Sequence, residues 1–280
     1  IEKFEHVETD QTKALTEYRY IGKDPNNYVY FGCKENCTEE NLYRIIGVIP
    51  TQKEVNGEYE NRVKLIKVNY YTENISGLLQ ESLSYFPAKN GFGYQWSTRQ
   101  NNKWEESSLN QEVLNKVYWN NFGEYQNYIE ASLWYLGALN NENWGVYKTE
   151  DLYEGERSNT SGSSQGSISY VGNIGLIYPS DYGYSCGNQY KNESIHENRE
   201  IFRNCSWIYQ LEDKFYEWTI APEANNTNAF VWFFYPAGDV GAGHAYLQDR
   251  MFSVRPTFYL KTNIFYKEGN GSKETPYQFE

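Results

Sequence analysis

Short runs of apolar residues, separated by polar turns, predict strands in the first quarter of the chain. Apolar and aromatic side chains alternate through residues 28–31, and two runs rich in β-branched residues follow at 42–50 and 62–71. Such runs are typical of strands. Asn56 and Gly57 lie between the two later runs and indicate a hairpin with a long connection. Before the first run we expect a short helical or irregular lead.

One stretch has the period of a helix. Between residues 109 and 118 the apolar residues recur three and four positions apart, which places them on one helical face. Ser108 and Gln111 have the spacing of a capping box at its start. Gly123 can end the helix.

Further apolar runs predict more short strands downstream. Polar loops rich in Ser, Gly or Asn separate them, at residues 154–167 and 187–204. We expect one α+β domain with many short antiparallel strands, one or two helices and long loops. The additional predicted strands lie at residues 128–137, 167–179, 217–222, 228–238 and 253–269.

The stretch IGLIYPSDYGYSCGN, residues 174–188, combines an apolar run with a predicted turn. Its alternating apolar residues predict a core strand that Pro179 ends. Ser180 and Asp181 are expected to open a turn that Gly183 permits, with the Asp181 carboxylate accepting backbone N–H groups. The stretch is first a structural corner and second a contact surface.

Composition and charge narrow the classes of partner. Aromatic residues make up 18% of the chain, with 28 tyrosines, so the predicted core is aromatic. The formal net charge is −12, which disfavours nucleic acids and anionic membrane surfaces. The sequence contains no apolar run long enough to span a bilayer.

The four cysteines form two local pairs, Cys33 with Cys37 and Cys186 with Cys205. This pairing is the simplest of three connectivities. A zinc site and buried free thiols are the alternatives, although the spacings are not those of zinc knuckles. Disulfides would indicate an oxidising, extracytoplasmic location.

Two patterns resemble catalytic signatures, and each has a structural explanation. Residues 162–166 match G-x-S-x-G but lie in a polar loop, without the strand and helix that a nucleophile elbow needs. His244 has Asp239 and Asp249 nearby, as a general base would, but its glycine-rich setting also fits a hairpin. No motif selects a pair of carboxylates for glycoside hydrolysis. We predict no catalytic residue, metal site or cofactor.

Aromatic residues offer an alternative to catalysis, because flat rings stack on sugars. Four tryptophans could do so, but tryptophan also fills irregular cores. They are Trp96, Trp104, Trp144 and Trp232. The candidate ligand contacts are Tyr182, Tyr184, Trp232, Asp239 and His244.

Three groups of segments together resemble a known family. They are NNYVYFGC…LYRIIGVI…VKLIK, ERS…GNIGLIYPSDYGYSC, and YEWTIAP…VRPTFYLKTNIFYKEGNGSKETPYQF. In this order they resemble a domain family of secreted and surface proteins of Gram-positive gut bacteria, which often follows a pilin-like or signal-type N-terminal anchor. The resemblance covers nearly all of residues 20–280.

The resemblance implies a C-type-lectin-like core, similar to that of formylglycine-generating enzymes, and transfers no catalytic residue. It implies that Arg255 lies near a buried acid and that residues 269–279 turn into a last edge strand. Residues 1–20 fall outside it and are expected to form a stalk or an inter-subunit contact, with residues 21–280 as one domain.

We therefore expect a non-enzymatic protein of the cell surface, either an adhesin or a subunit of a filament or pilus. Its partners would be copies of itself, or glycans or proteins of a host or cell surface. A glycan-binding lectin-like module is the first alternative, and a glycoside hydrolase is the second.

Overall fold

Sixteen short strands carry most of the architecture of the residues that the structure describes. The computed structural model describes residues 1–9, 13–139, 147–160, 166–211, 214–224, 229–247 and 249–279. In chain order the strands are β1 (Glu2–His6), β2 (Leu15–Arg19), β3 (Tyr28–Tyr30), β4 (Leu42–Thr51), β5 (Glu60–Lys67), β6 (Leu79–Glu81), β7 (Phe92–Tyr94), β8 (Ser132–Tyr135), β9 (Ser169–Gly172), β10 (Ile174–Gly175), β11 (Glu217–Pro222), β12 (Phe230–Phe234), β13 (Val240–His244), β14 (Thr257–Tyr259), β15 (Tyr266–Glu268) and β16 (Gln278–Phe279).

Helices are few and short. The α-helices are α1 (Trp119–Asn121), α2 (Thr149–Glu156), α3 (Pro179–Tyr184) and α4 (Arg199–Cys205), and a π-helix spans Leu109–Tyr118. Short 3₁₀ segments occur at Glu39–Asn41, Lys89–Gly91, Trp104–Glu106, Gly123–Tyr128, Asn188–Tyr190 and Trp207–Tyr209. None of the helices in the described ranges is long and apolar enough to cross a bilayer. The predicted α+β class, with mostly antiparallel short strands, is confirmed.

The largest sheet has the strand order β1-β2-β4-β5-β14-β10, and β3 also pairs with β4. The predicted hairpin is its centre, since β4 pairs antiparallel with β5 and Asn56 adopts the positive φ of a tight turn. Gly47 is required where β2 joins β4, because a Cβ there would lie 2.2 Å from the carbonyl oxygen of Tyr18. The described part of the chain also contains three two-stranded ribbons and one three-stranded sheet.

The N-terminal lead is a hairpin rather than helical or irregular. β1 pairs with β2, and β2 pairs with β4, so residues 2–6 and 15–19 extend the main sheet. The inward-facing positions of this hairpin include His6, Glu17 and Arg19, all buried. Because these inward residues are polar, the apolar alternation that predicts a strand is absent there.

The predicted helix after residue 108 forms, but as a π-helix with a different start. The Trp119 N–H donates to the carbonyl of Leu114, five residues earlier. The predicted capping box is wrong, because the Ser108 hydroxyl accepts from the Thr98 N–H at 3.1 Å. Ser107 caps the helix instead, with its hydroxyl accepting from the Asn110 N–H at 3.0 Å. The wider turn places Asn110 beside Asn115, and the Asn115 side chain donates to the Asn110 amide oxygen at 2.7 Å.

The predicted turn after Pro179 is also wrong, because the helix α3 begins there. Proline is favoured at the first helical position, since its fixed φ suits the helix and its missing N–H is not needed. The Asp181 carboxylate accepts from the Tyr178 N–H at 3.1 Å, so the expected backbone acceptor role is confirmed, as part of a helix start. The preceding residues Ile174, Leu176 and Tyr178 are buried, as expected of a core segment.

The core is aromatic and continuous between the main sheet, the π-helix and the three-stranded sheet of β11, β12 and β13. Trp96 and Trp104 are buried in it, so their predicted core role is confirmed, and their rings lie 5.3 Å apart. Both indole rings are therefore inaccessible to a ligand in solvent. Trp144 and most of the G-x-S-x-G pattern lie outside the described residues.

Candidate functional site

A groove of about 330 Å³ opens on the surface beside β3. Rings from three separate segments form its walls, and polar and charged side chains lie among them. Its lining residues are Tyr30, Phe31, Gly32, Cys33, Lys34, Glu35, Tyr125, Tyr128, Ile264, Lys267, Gln278 and Phe279. We call it the aromatic groove.

Covalent and backbone constraints fix the first wall. β3 leads into a loop that the Cys33–Cys37 disulfide closes, and Gly32 turns the chain with a φ of +82°. Positive φ favours glycine, because it has no Cβ to clash with the backbone. The loop therefore holds Lys34 and Glu35 at the rim.

The other walls come from a 3₁₀ turn and from the C-terminal ribbon. Gly123–Tyr128 follows the π-helix and presents Tyr125 and Tyr128. β16 is the last edge strand that the sequence predicted, and it pairs with β15 in a two-stranded ribbon. This ribbon presents Phe279. Hydrogen bonds tie the ribbon to β3, since the Tyr30 N–H donates to the Tyr277 carbonyl at 2.9 Å. The groove thus joins residues that are about 250 positions apart.

The ring geometry leaves flat surfaces beside hydrogen-bonding groups. The Tyr125 and Tyr128 rings lie 6.0 Å apart at 31°, and Phe31 meets Tyr125 edge-on at 6.1 Å. Partial burial raises the pKa of Tyr125, which keeps its hydroxyl protonated. Lys34 pairs with Glu124 at 3.4 Å on the exposed rim. The groove can therefore stack on a flat ligand and hydrogen-bond its edges.

A second hollow of about 240 Å³ lies on the other side of Phe31 and Gly32, which line both spaces. Glu73 and Asn121 are among the residues that line it. The Glu73 carboxylate accepts from the Tyr71 hydroxyl at 2.7 Å and from the Asn121 amide at 2.6 Å. A ligand longer than one ring could extend from the groove into this hollow.

Three of the five predicted ligand contacts lie in the interior. Tyr182, Tyr184 and Trp232 are each at most 2% exposed. The Tyr182 hydroxyl donates to the Gly238 carbonyl, and the Tyr184 hydroxyl donates to Glu150. A ligand could reach these three side chains only if the core opened.

Asp239 and His244 lie at opposite ends of β13 and have different partners. An Asp239 carboxylate oxygen lies 2.7 Å from Nδ1 of His196, a histidine that the sequence did not connect with it. His244 ends β13, where its ring meets Phe230 edge-on at 4.4 Å. The glycine-rich segment around His244, which the sequence suggested as part of a hairpin, is thus itself a strand that pairs with β12.

Both disulfide pairings are those predicted. Cys33 bonds Cys37 and Cys186 bonds Cys205. In the described ranges no group of three or more His, Cys, Asp or Glu side chains could hold a metal ion.

Arg255 makes the contact that the sequence predicted, with a buried acid. Its guanidinium donates twice to the Glu217 carboxylate, with both nitrogen–oxygen distances at 2.9 Å. Both residues are buried, so each charge depends on the other for compensation.

A larger buried network connects the N-terminal hairpin with α3, and sequence reasoning missed it. Arg19 donates to Glu17 and to Asp181, each at 2.6 Å. Lys64 of β5 donates to the second oxygen of Asp181, also at 2.6 Å. Burial alone would raise the pKa of Asp181, but Lys64 and Arg19 outweigh it and lower that pKa.

Glu156 lies beside this network, at the end of α2. Its carboxylate accepts from the Ser180 N–H at 2.9 Å and bonds the Ser180 hydroxyl. Burial raises its pKa to about 7, although Arg157 and Ser180 oppose the shift.

No protein-family model, curated protein or solved structure matches the chain. The function is therefore argued from the groove and the buried groups themselves.

Proposed function

We propose that the protein is a non-enzymatic adhesin of the cell surface, with a C-type-lectin-like fold, and that the aromatic groove binds glycans. The observation that carries the proposal is the cluster of rings around Tyr125 and Tyr128, with amide, amine and carboxylate groups among them. Sugar rings have apolar C–H faces and polar edges, and this lining complements both. The two disulfides support an extracellular location.

The test is a glycan array probed with the wild-type protein, followed by calorimetry with the oligosaccharide that binds best. Replacing both Tyr125 and Tyr128 by alanine removes two stacking surfaces. At about 0.5–1.5 kcal/mol for each ring, the dissociation constant should rise roughly 5- to 150-fold. The matched control is Tyr85→Ala, which removes a 62% exposed tyrosine that does not line the groove.

Two results would contradict the proposal. One is an array on which the folded wild-type protein binds no glycan. The other is an oligosaccharide that the double variant and the wild type bind equally well, since its site would then lie elsewhere.

A filament subunit is the second candidate, and the edge strand β1 is the feature that bears on it. β1 ends the main sheet, so a neighbouring subunit could add a strand there. Its exposed Lys3 and Glu5 pair with each other at 2.6 Å, and charged side chains on an edge strand discourage such pairing. Negative-stain microscopy of the native cell surface distinguishes filaments containing the protein from dispersed copies.

A further inference from the structure

A lysine and an aspartate meet inside the protein at hydrogen-bonding distance. Nζ of Lys64 lies 2.6 Å from Oδ2 of Asp181, and each side chain is 1% exposed. Lys64 belongs to β5 and Asp181 to α3, and the two positions are 117 residues apart in the chain. In the other lysine ion pairs of the described residues, the side chain of the acidic partner is always at least 20% exposed.

Aromatic rings surround the amine and keep water away. The Lys64 ammonium lies 4.6 Å from the Tyr178 ring centre, 5.6 Å from that of Tyr259 and 5.7 Å from that of Trp134. Burial lowers the pKa of Lys64, although the attraction of Asp181 opposes the shift. The neutral amine, which is the nucleophilic form, is therefore easier to reach than in water.

Hydrogen-bond donors on both oxygens hold the Asp181 carboxylate in place. Arg19 donates to Oδ1 at 2.6 Å, and Glu17 fixes the same guanidinium at 2.6 Å. The backbone N–H of Tyr178 donates to Oδ2 at 3.1 Å. A fixed donor on Oδ1 would stabilise the negative charge that this oxygen gains when a nucleophile adds to the carboxyl carbon.

We propose that Lys64 and Asp181 condense into an intramolecular amide that joins β5 to α3. Lys64 and Arg19 lower the pKa of Asp181, so the transfer of one proton from the ammonium to Oδ2 is the uphill part of the step. The neutral Nζ then adds to Cγ of Asp181. Oδ2 then leaves as water with a second proton from the nitrogen. The third proton stays on the amide nitrogen, and Oδ1 becomes the amide oxygen. The step needs no oxidant or reductant, because it is a dehydration.

Two physical terms favour this step. The amide replaces two buried charges, and buried charges carry a large desolvation cost. The two groups are also already held together, so the reaction needs no bimolecular encounter. Well-oriented intramolecular groups react with effective concentrations of roughly 10⁵ M or more. The Arg255–Glu217 pair is equally buried, but a guanidinium stays protonated and does not act as such a nucleophile.

The experiment is the intact mass of the folded full chain, measured after reduction and denaturation, both fresh and after prolonged incubation. We expect a mass below that of the sequence by one water molecule. Proteolysis should release a branched peptide that joins the segment around Lys64 to the segment around Asp181. The full sequence mass in protein that was folded and incubated would overturn the proposal.

Two variants locate the reaction. Lys64→Arg keeps the positive charge but removes the amine, so the mass deficit should disappear. Lys67→Arg, the matched control on the same strand, should keep the deficit, because that amine bonds Glu40 instead. A deficit that persists in Lys64→Arg would place the dehydration elsewhere. If Lys64→Arg does not fold, the wild-type mass and the branched peptide still decide.

Discussion

Replacing Glu156 by glutamine should stabilise the protein at alkaline pH and change little in acid. The side chain is completely buried at the end of α2 and makes two hydrogen bonds to Ser180. Glutamine has the same shape. Its oxygen can accept from the Ser180 N–H, and its amide can donate to the Ser180 hydroxyl. The substitution therefore removes the charge, and with it the ion pair with Arg157 at 3.5 Å, and leaves the packing in place.

The magnitude follows from the pKa of Glu156, which burial raises from 4.5 to about 7. A carboxyl group whose pKa is raised on folding contributes stability that is present below its unfolded pKa and is lost as the pH rises. Here the loss runs from about pH 4.5 to pH 7. At about 1.4 kcal/mol for each pH unit, the wild-type protein loses about 3 kcal/mol that the glutamine variant keeps.

The assay is urea unfolding with the disulfides intact, at pH 5 and pH 8.5, for the wild type and Glu156→Gln. The difference in free energy of unfolding between the two proteins should be about 2–3 kcal/mol larger at the higher pH. Asp151→Asn, on the exposed side of the same helix, is the matched control and should show no comparable change. Parallel stability curves for the wild type and Glu156→Gln would refute the reasoning, since burial would then not raise the pKa.

Three further substitutions test the fold by urea unfolding at neutral pH. Arg255→Ala should lower the free energy of unfolding by about 3–5 kcal/mol, because it leaves the Glu217 charge buried without its partner, and a loss below about 1 kcal/mol would contradict this. Gly47→Ala should lower the free energy of unfolding by at least about 1–3 kcal/mol, since its Cβ would lie 2.2 Å from a backbone oxygen. Wild-type stability of this variant would show that β2 is placed differently. Asn115→Ala should cost about 1–3 kcal/mol, because both backbone groups of Ile174 lose the Asn115 amide, whereas an unchanged midpoint would mean that water replaces it.

The sequence predicts the strands well where the side chains that face inward are apolar. β4 and β5 follow the apolar runs at 42–50 and 62–71 closely, and the turn at Asn56 lies where expected. The N-terminal hairpin is missed because its inward positions carry His6, Glu17 and Arg19. Their burial is stabilised by partners such as Asp181, which is more than 160 positions away in the chain. Local periodicity contains no information about such a partner.

The same reasoning explains why the sequence pointed to Trp232 as a ligand contact and missed Tyr125 and Tyr128. Trp232 lies within the continuous apolar run FVWFF, and a ring in such a strand is buried by the sheet that the strand joins. Tyr125 and Tyr128 lie in the polar turn GEYQNY, which has few apolar neighbours that would draw it into the core. A flat ring in a polar turn is therefore a better sequence signal for a contact surface than one in an apolar strand. Only the fold shows that this turn meets Phe31 and Phe279, and the groove depends on that meeting.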